Sequence, residues 1–173
     1  MLEECRKAGH EDRALMFCSL SKVTFPGAGV AAMAASRRNI DYILKNMFPM
    51  IISFDKLNQV RHIRFLKDMD GLAAHMEKHR ALLEPKFRAV LAILDEGLSG
   101  CGSIARWTKP NGGYFLSLYT LGGCAKRTVQ LCREAGVVLT DAGAAYPYGV
   151  APQDSNIRIA PTFPPLDELE TAS

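Results

Sequence analysis

The sequence has no run of apolar residues long enough to span a bilayer and no strong excess of either charge. Its 21 basic and 18 acidic side chains leave a formal charge of +3, too small and too dispersed to argue for a nucleic-acid partner. Aromatic residues make up 8% of the chain, and they do not alternate with basic ones as a single-strand binding platform requires. Neither nucleic acid nor membrane is expected as a partner. The five cysteines, Cys5, Cys18, Cys101, Cys124 and Cys132, are odd in number and form no C-x-x-C pair. That pattern fits reduced thiols in a cytoplasmic protein rather than a disulfide framework. Met1 to Lys7 carries acids and lacks the apolar stretch of a signal peptide.

Several familiar sites are missing as well. There is no P-loop and no G-x-S-x-G elbow. His75 and His79 stand four apart on an expected helix, but Met76 follows the first histidine where a zinc-protease motif needs Glu. No third ligand is evident, so these histidines read as a solvated helix face and no metal site is expected. Gly27-Ala28-Gly29-Val30-Ala31-Ala32 matches a loose dinucleotide fingerprint. A strand rather than a helix is expected after it, and no acid follows about twenty residues on.

What remains is an ordinary globular composition. The 173 residues are 48% hydrophobic and 23% charged, enough for one core, or for one domain and part of another. A helix end and a turn are expected before Arg13, then a strand at about Ala14 to Cys18. Gly29 to Ala35 is small and apolar throughout, as in a second, buried strand. Ser36 reads as the N-cap of a helix through Met47, with Ile40, Ile43, Leu44 and Met47 on its inner face and Pro49 ending it. A further helix is expected from about Phe54 to Asp68, its apolar positions Leu57, Val60, Ile63 and Phe65-Leu66 fitting one face only loosely. Gly71 reads as a break between two domains, 1–71 and 72–173. Leu72 to Leu98 has the best helical period in the chain, with Pro85 expected to kink or divide it. A helix with one such face should cover a sheet.

Two short strands follow, Ser103 to Thr108 and Tyr114 to Tyr119, the second alternating in polarity. Cys124 to Ala135 reads as a helix with Ala125, Thr128, Leu131 and Cys132 inward and Gly136 at its end. Val137 to Thr140 is expected as a strand, Asn156 to Ala160 as another, and Leu166 to Leu169 as a terminal helix. The fold class is α/β, with a mixed α+β C-terminal part.

Two residues carry chemistry. Lys22 stands among small hydroxyl residues and before a Pro-Gly turn, in Cys18-Ser19-Leu20-Ser21-Lys22-Val23-Thr24-Phe25-Pro26-Gly27, directly after an apolar strand. Burial beside a core disfavours the ammonium form, and an unprotonated lysine is a nucleophile used in Schiff bases with carbonyls or pyridoxal phosphate. The alternative is a solvated lysine at a strand end. Arg158 lies inside an otherwise apolar strand, where its charge must be paired; its planar fork suits a carboxylate of a ligand or of an internal salt bridge.

Taken together and in order, these pieces resemble the C-terminal half of a class I/II pyridoxal-phosphate aminotransferase of fold type I. Ser19-Leu20-Ser21-Lys22 with Pro26-Gly27 resembles the family's S-x-S-K…P-G around the Schiff-base lysine. The long helix resembles the one leading into the small domain. Pro110-Asn111-Gly112-Gly113-Tyr114-Phe115 resembles a P-x-G-G-x-F turn into a strand. Asn156-Ile157-Arg158-Ile159-Ala160 resembles the strand bearing the arginine that grips the substrate α-carboxylate. Residues 23–31 and 158–165 look most like the MocR-type branch, often described as aspartate-type aminotransferases.

The resemblance implies a homodimeric enzyme with pyridoxal 5′-phosphate as cofactor, transferring an amino group between an amino acid and a 2-oxo acid. It assigns Lys22 as cofactor anchor and catalytic base, Ser19 and Ser21 as phosphate ligands, and Arg158 and Gly113 to the substrate. It also implies a large-domain end in 1–71 and a small domain in 72–173. A sensor domain of a MocR-type transcription regulator and an inactive remnant are the alternatives. Two departures stand out. Gly29 and Val30 occupy the places where many relatives carry a phosphate-binding arginine. Only 21 residues precede Lys22, so a fragment with little activity of its own is expected.

Overall fold

The structure, a computed structural model, describes residues 1–172. Mixed helices and small sheets agree with the α/β class. The chain forms two compact units, Met1–His79 and Arg80 onward. Among the described residues no helix is long and apolar enough to cross a membrane.

In the first unit, α1 (Leu2–Lys7) and a short 3-10 turn (Glu11–Arg13) lead into β1 (Leu15–Ser19). Strand β1 pairs antiparallel with β2 (Ala31–Ala35), Phe17 opposite Met33 and Ser19 opposite Ala31. Both strands were expected, but β2 is not buried. The pair is a two-stranded sheet, and no residue of either strand is buried within this chain. Helix α2 (Arg37–Met47) starts as expected, with Ser36 Oγ accepting from Asn39 N. Asp12 ties this start down by taking the Ser36 hydroxyl at 2.5 Å and, through its own carbonyl, the Asn39 amide at 2.8 Å. Of the expected inner face of α2, Leu44 and Met47 are exposed.

Helix α3 (Lys56–Leu66) is capped by Asp55, which accepts from Asn58 N, and it inverts the expected amphipathic pattern. Leu57 is 75% and Ile63 65% exposed, whereas Asn58 and His62 are 7% and 5% exposed. The periodicity was real, but the polar side faces inward because the segment it covers presents backbone carbonyls, which need donors. Helix α3 stops at Lys67, whose φ is 65°. Gly71 does not break the next helix: α4 runs unbroken from Met69 to Leu98. Its glycine is needed for close approach, since a Cβ there would lie 1.9 Å from the Leu66 carbonyl oxygen. Nor does Pro85 divide α4. The hydrogen bond it forgoes belongs to the carbonyl of Ala81, an exposed residue whose backbone water can satisfy.

The second unit contains an antiparallel sheet of β3 (Ala105–Trp107), β4 (Leu116–Thr120) and β5 (Asn156–Ile159), in that order. Leu118 faces Ile157, and Ser117 faces Arg158. Alternation along β4 buries Leu116 and Leu118 as expected. Leu118 meets α5 (Ala125–Glu134) through a core of Leu118, Ala125, Val129 and Ile157, with Leu98 of α4 and Trp107 packed against it. Within α5 the inward pair is Ala125 and Val129, and Leu131, expected inside, is exposed. Val137 to Thr140 is not a strand. Its residues gain no ladder partner, and Val138 stays exposed although Leu139 packs on the core. Helix α6 (Leu166–Thr171) closes the chain.

Candidate functional site

Lys22 sits in the turn that joins β1 to β2. Leu20 N continues the ladder to Val30 O at 2.8 Å, then the carbonyl of Leu20 accepts both Val23 N and Thr24 N at 2.9 Å. That single tight turn carries Ser21 and Lys22 over the end of the sheet. Ser19 Oγ and Ser21 Oγ are 2.8 Å apart, and Ser19 Oγ also accepts from Ser21 N at 3.2 Å. The structure therefore brings Ser19, Ser21 and Lys22 onto one turn. Lys22 is exposed, so burial within this chain does not desolvate its amine, contrary to the expectation of a lysine set against a core.

Gly29 explains one departure from the family pattern. A Cβ at position 29 would lie 2.4 Å from Ser21 Oγ and 3.0 Å from Ser21 Cα. An arginine cannot stand there while the serine turn keeps this shape. Gly29→Ala is accordingly expected to cost about 1–3 kcal/mol through overpacking, seen as a lower urea midpoint for the first unit by far-UV circular dichroism. An unchanged midpoint would show that the turn yields freely.

The sequence did not reveal what holds this turn. Asn58 Nδ2 donates to the carbonyl of Ala28 at 2.6 Å, with Gly29 O at 3.4 Å. His62 Nε2 meets Thr24 Oγ1 at 2.7 Å. His75 Nε2 meets the carbonyl of Val23 at 2.6 Å, and His79 Nε2 lies 3.1 Å from that same nitrogen. The rings of Phe25, His62, Phe65, His75 and His79 stack edge-on or tilted in a continuous row, with centroid spacings between 4.7 and 5.3 Å. His75 and His79 are thus not a solvated face but half-buried and bonded. The available signal was Asn58, His62 and Phe65 at i, i+4 and i+7, a polar stripe on a helix. Among the described residues no group of three or more His, Cys, Asp or Glu could hold a metal.

In the second unit, Arg158 is half-buried on β5 with its guanidinium 4.7 Å from the centre of the Phe115 ring. Its Nε is buried and makes no hydrogen bond to any described residue. The internal salt bridge considered from sequence is not among its contacts in the structure. A buried donor aimed at no partner is costly, and a carboxylate is the group that its fork fits. Gly113 lies before β4 with φ 93°, a conformation that glycine adopts without strain.

Comparison with known proteins bears on this arrangement. Residues 1–173 match the family described as aspartate amino-transferase. A Mycolicibacterium smegmatis protein, whose name assigns it provisionally to the aminotransferases, is 50% identical over 165 residues. An aspartate aminotransferase of Corynebacterium glutamicum is 44% identical over 165 residues. Each match covers 95% of this chain, and the chain spans 38% of the length of either relative. A Corynebacterium diphtheriae crystal structure, described provisionally as an aminotransferase, superposes with a TM-score of 0.90 and 45% identity. It covers 99% of this chain and 42% of its own. A Thermus thermophilus α-aminoadipate aminotransferase, complexed with N-(5′-phosphopyridoxyl)-L-leucine, shares the fold with a TM-score of 0.74 at 22% identity. That match covers 98% of this chain and 42% of the other.

Proposed function

The chain belongs to the aspartate aminotransferase family, and from that premise we propose that it carries the lysine-bearing part and the small domain of a pyridoxal-phosphate transaminase. The substrates are an aspartate-like amino acid and a 2-oxo acid, and the branch is the MocR-type one. Residues 1–71 supply the end of the large domain and residues 72–173 the small domain. The observation that carries the reading is the pair of hydroxyls, Ser19 Oγ and Ser21 Oγ, 2.8 Å apart on the turn that holds Lys22. Gly29 lets the serine turn approach closely, since a Cβ there would lie 2.4 Å from Ser21 Oγ. These residues fit a phosphorylated aldehyde: hydroxyls for its phosphate and an amine one and three residues further along the chain.

Pyridoxal phosphate, when bound, supplies an aldehyde that takes an amine and a conjugated ring that accepts electrons from Cα. Every other part of the work falls to side chains. Lys22 holds the cofactor, gives way to the substrate amine, and then takes the Cα proton on Nζ. Ser19 and Ser21 donate to the phosphate, with Gly29 and Val30 standing where many relatives carry an arginine. Arg158 grips the substrate α-carboxylate through paired N–H bonds and fixes which Cα bond lies toward Lys22. The Gly113 turn shapes the substrate side. The remaining parts of the site come from the longer protein and from a second copy in a homodimer, so residues 1–173 alone are expected to turn over little.

The test is labelling. Purified chain is mixed with pyridoxal phosphate, reduced with borohydride and digested, and the pyridoxyl label is located by mass spectrometry. It is expected on Lys22 well above the other lysines, and lost with Lys22→Ala. A label spread evenly over surface lysines, or one unchanged in amount in Lys22→Ala, would remove Lys22 from the mechanism.

A further inference from the structure

We propose that Asn58, His62 and His75 are positioning residues for Lys22, a hydrogen-bonded clamp on the backbone that leaves the lysine. The inference rests on Lys22 being the cofactor anchor. Val23, Thr24 and Phe25, the three residues after Lys22, are each held from the helices: the carbonyl of Val23 by His75, the hydroxyl of Thr24 by His62, the ring of Phe25 by His62 and Phe65. Asn58 holds the far side of the loop at Ala28 O.

The bonds also fix where the protons are. A carbonyl only accepts, so His75 must carry its hydrogen on Nε2 to meet Val23 O. His79 Nε2, 3.1 Å from that nitrogen, then faces it with a lone pair and shares the same hydrogen. Likewise the carbonyl of Asn58 accepts from His62 Nδ1 at 2.8 Å. His62 Nε2 meets the Thr24 hydroxyl, which also reaches the carbonyl of Leu20 at 3.1 Å. In His62 and in His75 one ring nitrogen is thus fixed as a donor by a carbonyl, Nδ1 in the first and Nε2 in the second.

A purely structural role would not demand this chemistry. Burying an amide and an imidazole costs desolvation that apolar side chains avoid, and α3 has leucine, valine and isoleucine on its other side. Apolar contact would dock the helix equally well. What hydrogen bonds add is direction: they hold individual peptide groups, and with them the origin of the lysine side chain, at a set angle.

The probe is pyridoxal phosphate with the chain of residues 1–173. The Lys22 amine adds to the aldehyde carbon, water leaves, and hydride from borohydride on that carbon fixes the label as a secondary amine. The initial rate of labelling at Lys22 is compared with that at the other lysines, which serve as internal controls. His75→Ala should slow Lys22 labelling about tenfold or more, as expected for a reacting group no longer held in place, with the other lysines unaffected. His75→Gln, which keeps a donor at similar reach, should restore most of the rate. A folded His75→Ala protein that labels Lys22 at the normal rate overturns the clamp while leaving Lys22 as anchor. So does a loss that His75→Gln fails to restore, since the imidazole would then only pack. Absence of preferential Lys22 labelling in the unmutated chain overturns both readings. Because His62→Ala sits in a buried position and can unfold the unit, His62 is tested without mutation, by long-range proton–nitrogen spectra of the imidazoles. The clamp requires hydrogen on Nδ1 of His62 and on Nε2 of His75, and the opposite tautomers would overturn it.

Discussion

Arg158→Lys is expected to lower kcat/KM for an amino acid about a hundredfold, from the loss of roughly 3 kcal/mol of paired, charge-assisted hydrogen bonding. The measurement uses a chimera in which residues 1–173 replace the matching part of the Corynebacterium glutamicum aspartate aminotransferase, to which they are 44% identical. The variant keeps the positive charge, so electrostatics alone predicts a small effect. What it loses is the planar fork. In the structure that fork lies over the Phe115 ring at 4.7 Å with Nε buried and unbonded among the described residues. A lysine ammonium can neither stack in that way nor give two parallel bonds to one carboxylate. If the arginine orients the substrate, kcat falls along with a rise in KM, because a loosely held substrate presents its Cα bond poorly. A change below threefold would assign Arg158 to β5 packing and leave the carboxylate to another residue. Phe115→Leu, which keeps an apolar neighbour but not the ring face, should give a smaller loss in the same direction.

Much of this was readable in the sequence because it is decided locally. Ser36 capping α2, alternation in Leu116 and Leu118, and Gly136 after α5 are signals that act within a few residues. The Arg158 strand was legible for a different reason, a charged side chain among apolar neighbours, whereas the lysine was expected against a core and is exposed in this chain. What was missed was decided by partners distant in sequence. Asn58 and His62 are inward because the loop from Val23 to Gly29 offers carbonyls, and no helical period can report that. Gly71 looks like a breaker to a local rule, yet it is a helix residue that lets the Leu66 carbonyl approach. Val137 to Thr140 had the composition of a strand but found no ladder to join, and composition does not specify a neighbour. Strand β2, expected to be buried, is exposed or half-buried in this chain, because nothing in the first unit buries a residue of either strand.

Ile157→Ala is expected to destabilise the second unit by about 2–5 kcal/mol, the range for removing a large aliphatic side chain from a tight core. Ile157 is fully buried, stands opposite Leu118 on β4 and packs in one cluster with Ala125 and Val129 of α5. Its loss opens a cavity among groups from two strands and a helix, none of which can close it alone. A small domain has only about 5–15 kcal/mol in hand, so the variant should unfold at a much lower urea concentration or be unfolded in buffer. The chain contains one tryptophan, and Trp107 packs against this same cluster. Its fluorescence therefore reports the second unit alone, while far-UV circular dichroism reports both. The expected result is a large downward shift in the fluorescence midpoint, with part of the helical signal melting at its usual concentration. Leu57→Ala is the control: that side chain is 75% exposed, and its removal should move neither midpoint by more than about 0.5 kcal/mol. A shift below about 1 kcal/mol for Ile157→Ala would mean that β5 is held by its ladder rather than by the core. Arg158, its neighbour on the strand, would then lack the rigid base that the carboxylate-binding role proposed for it requires.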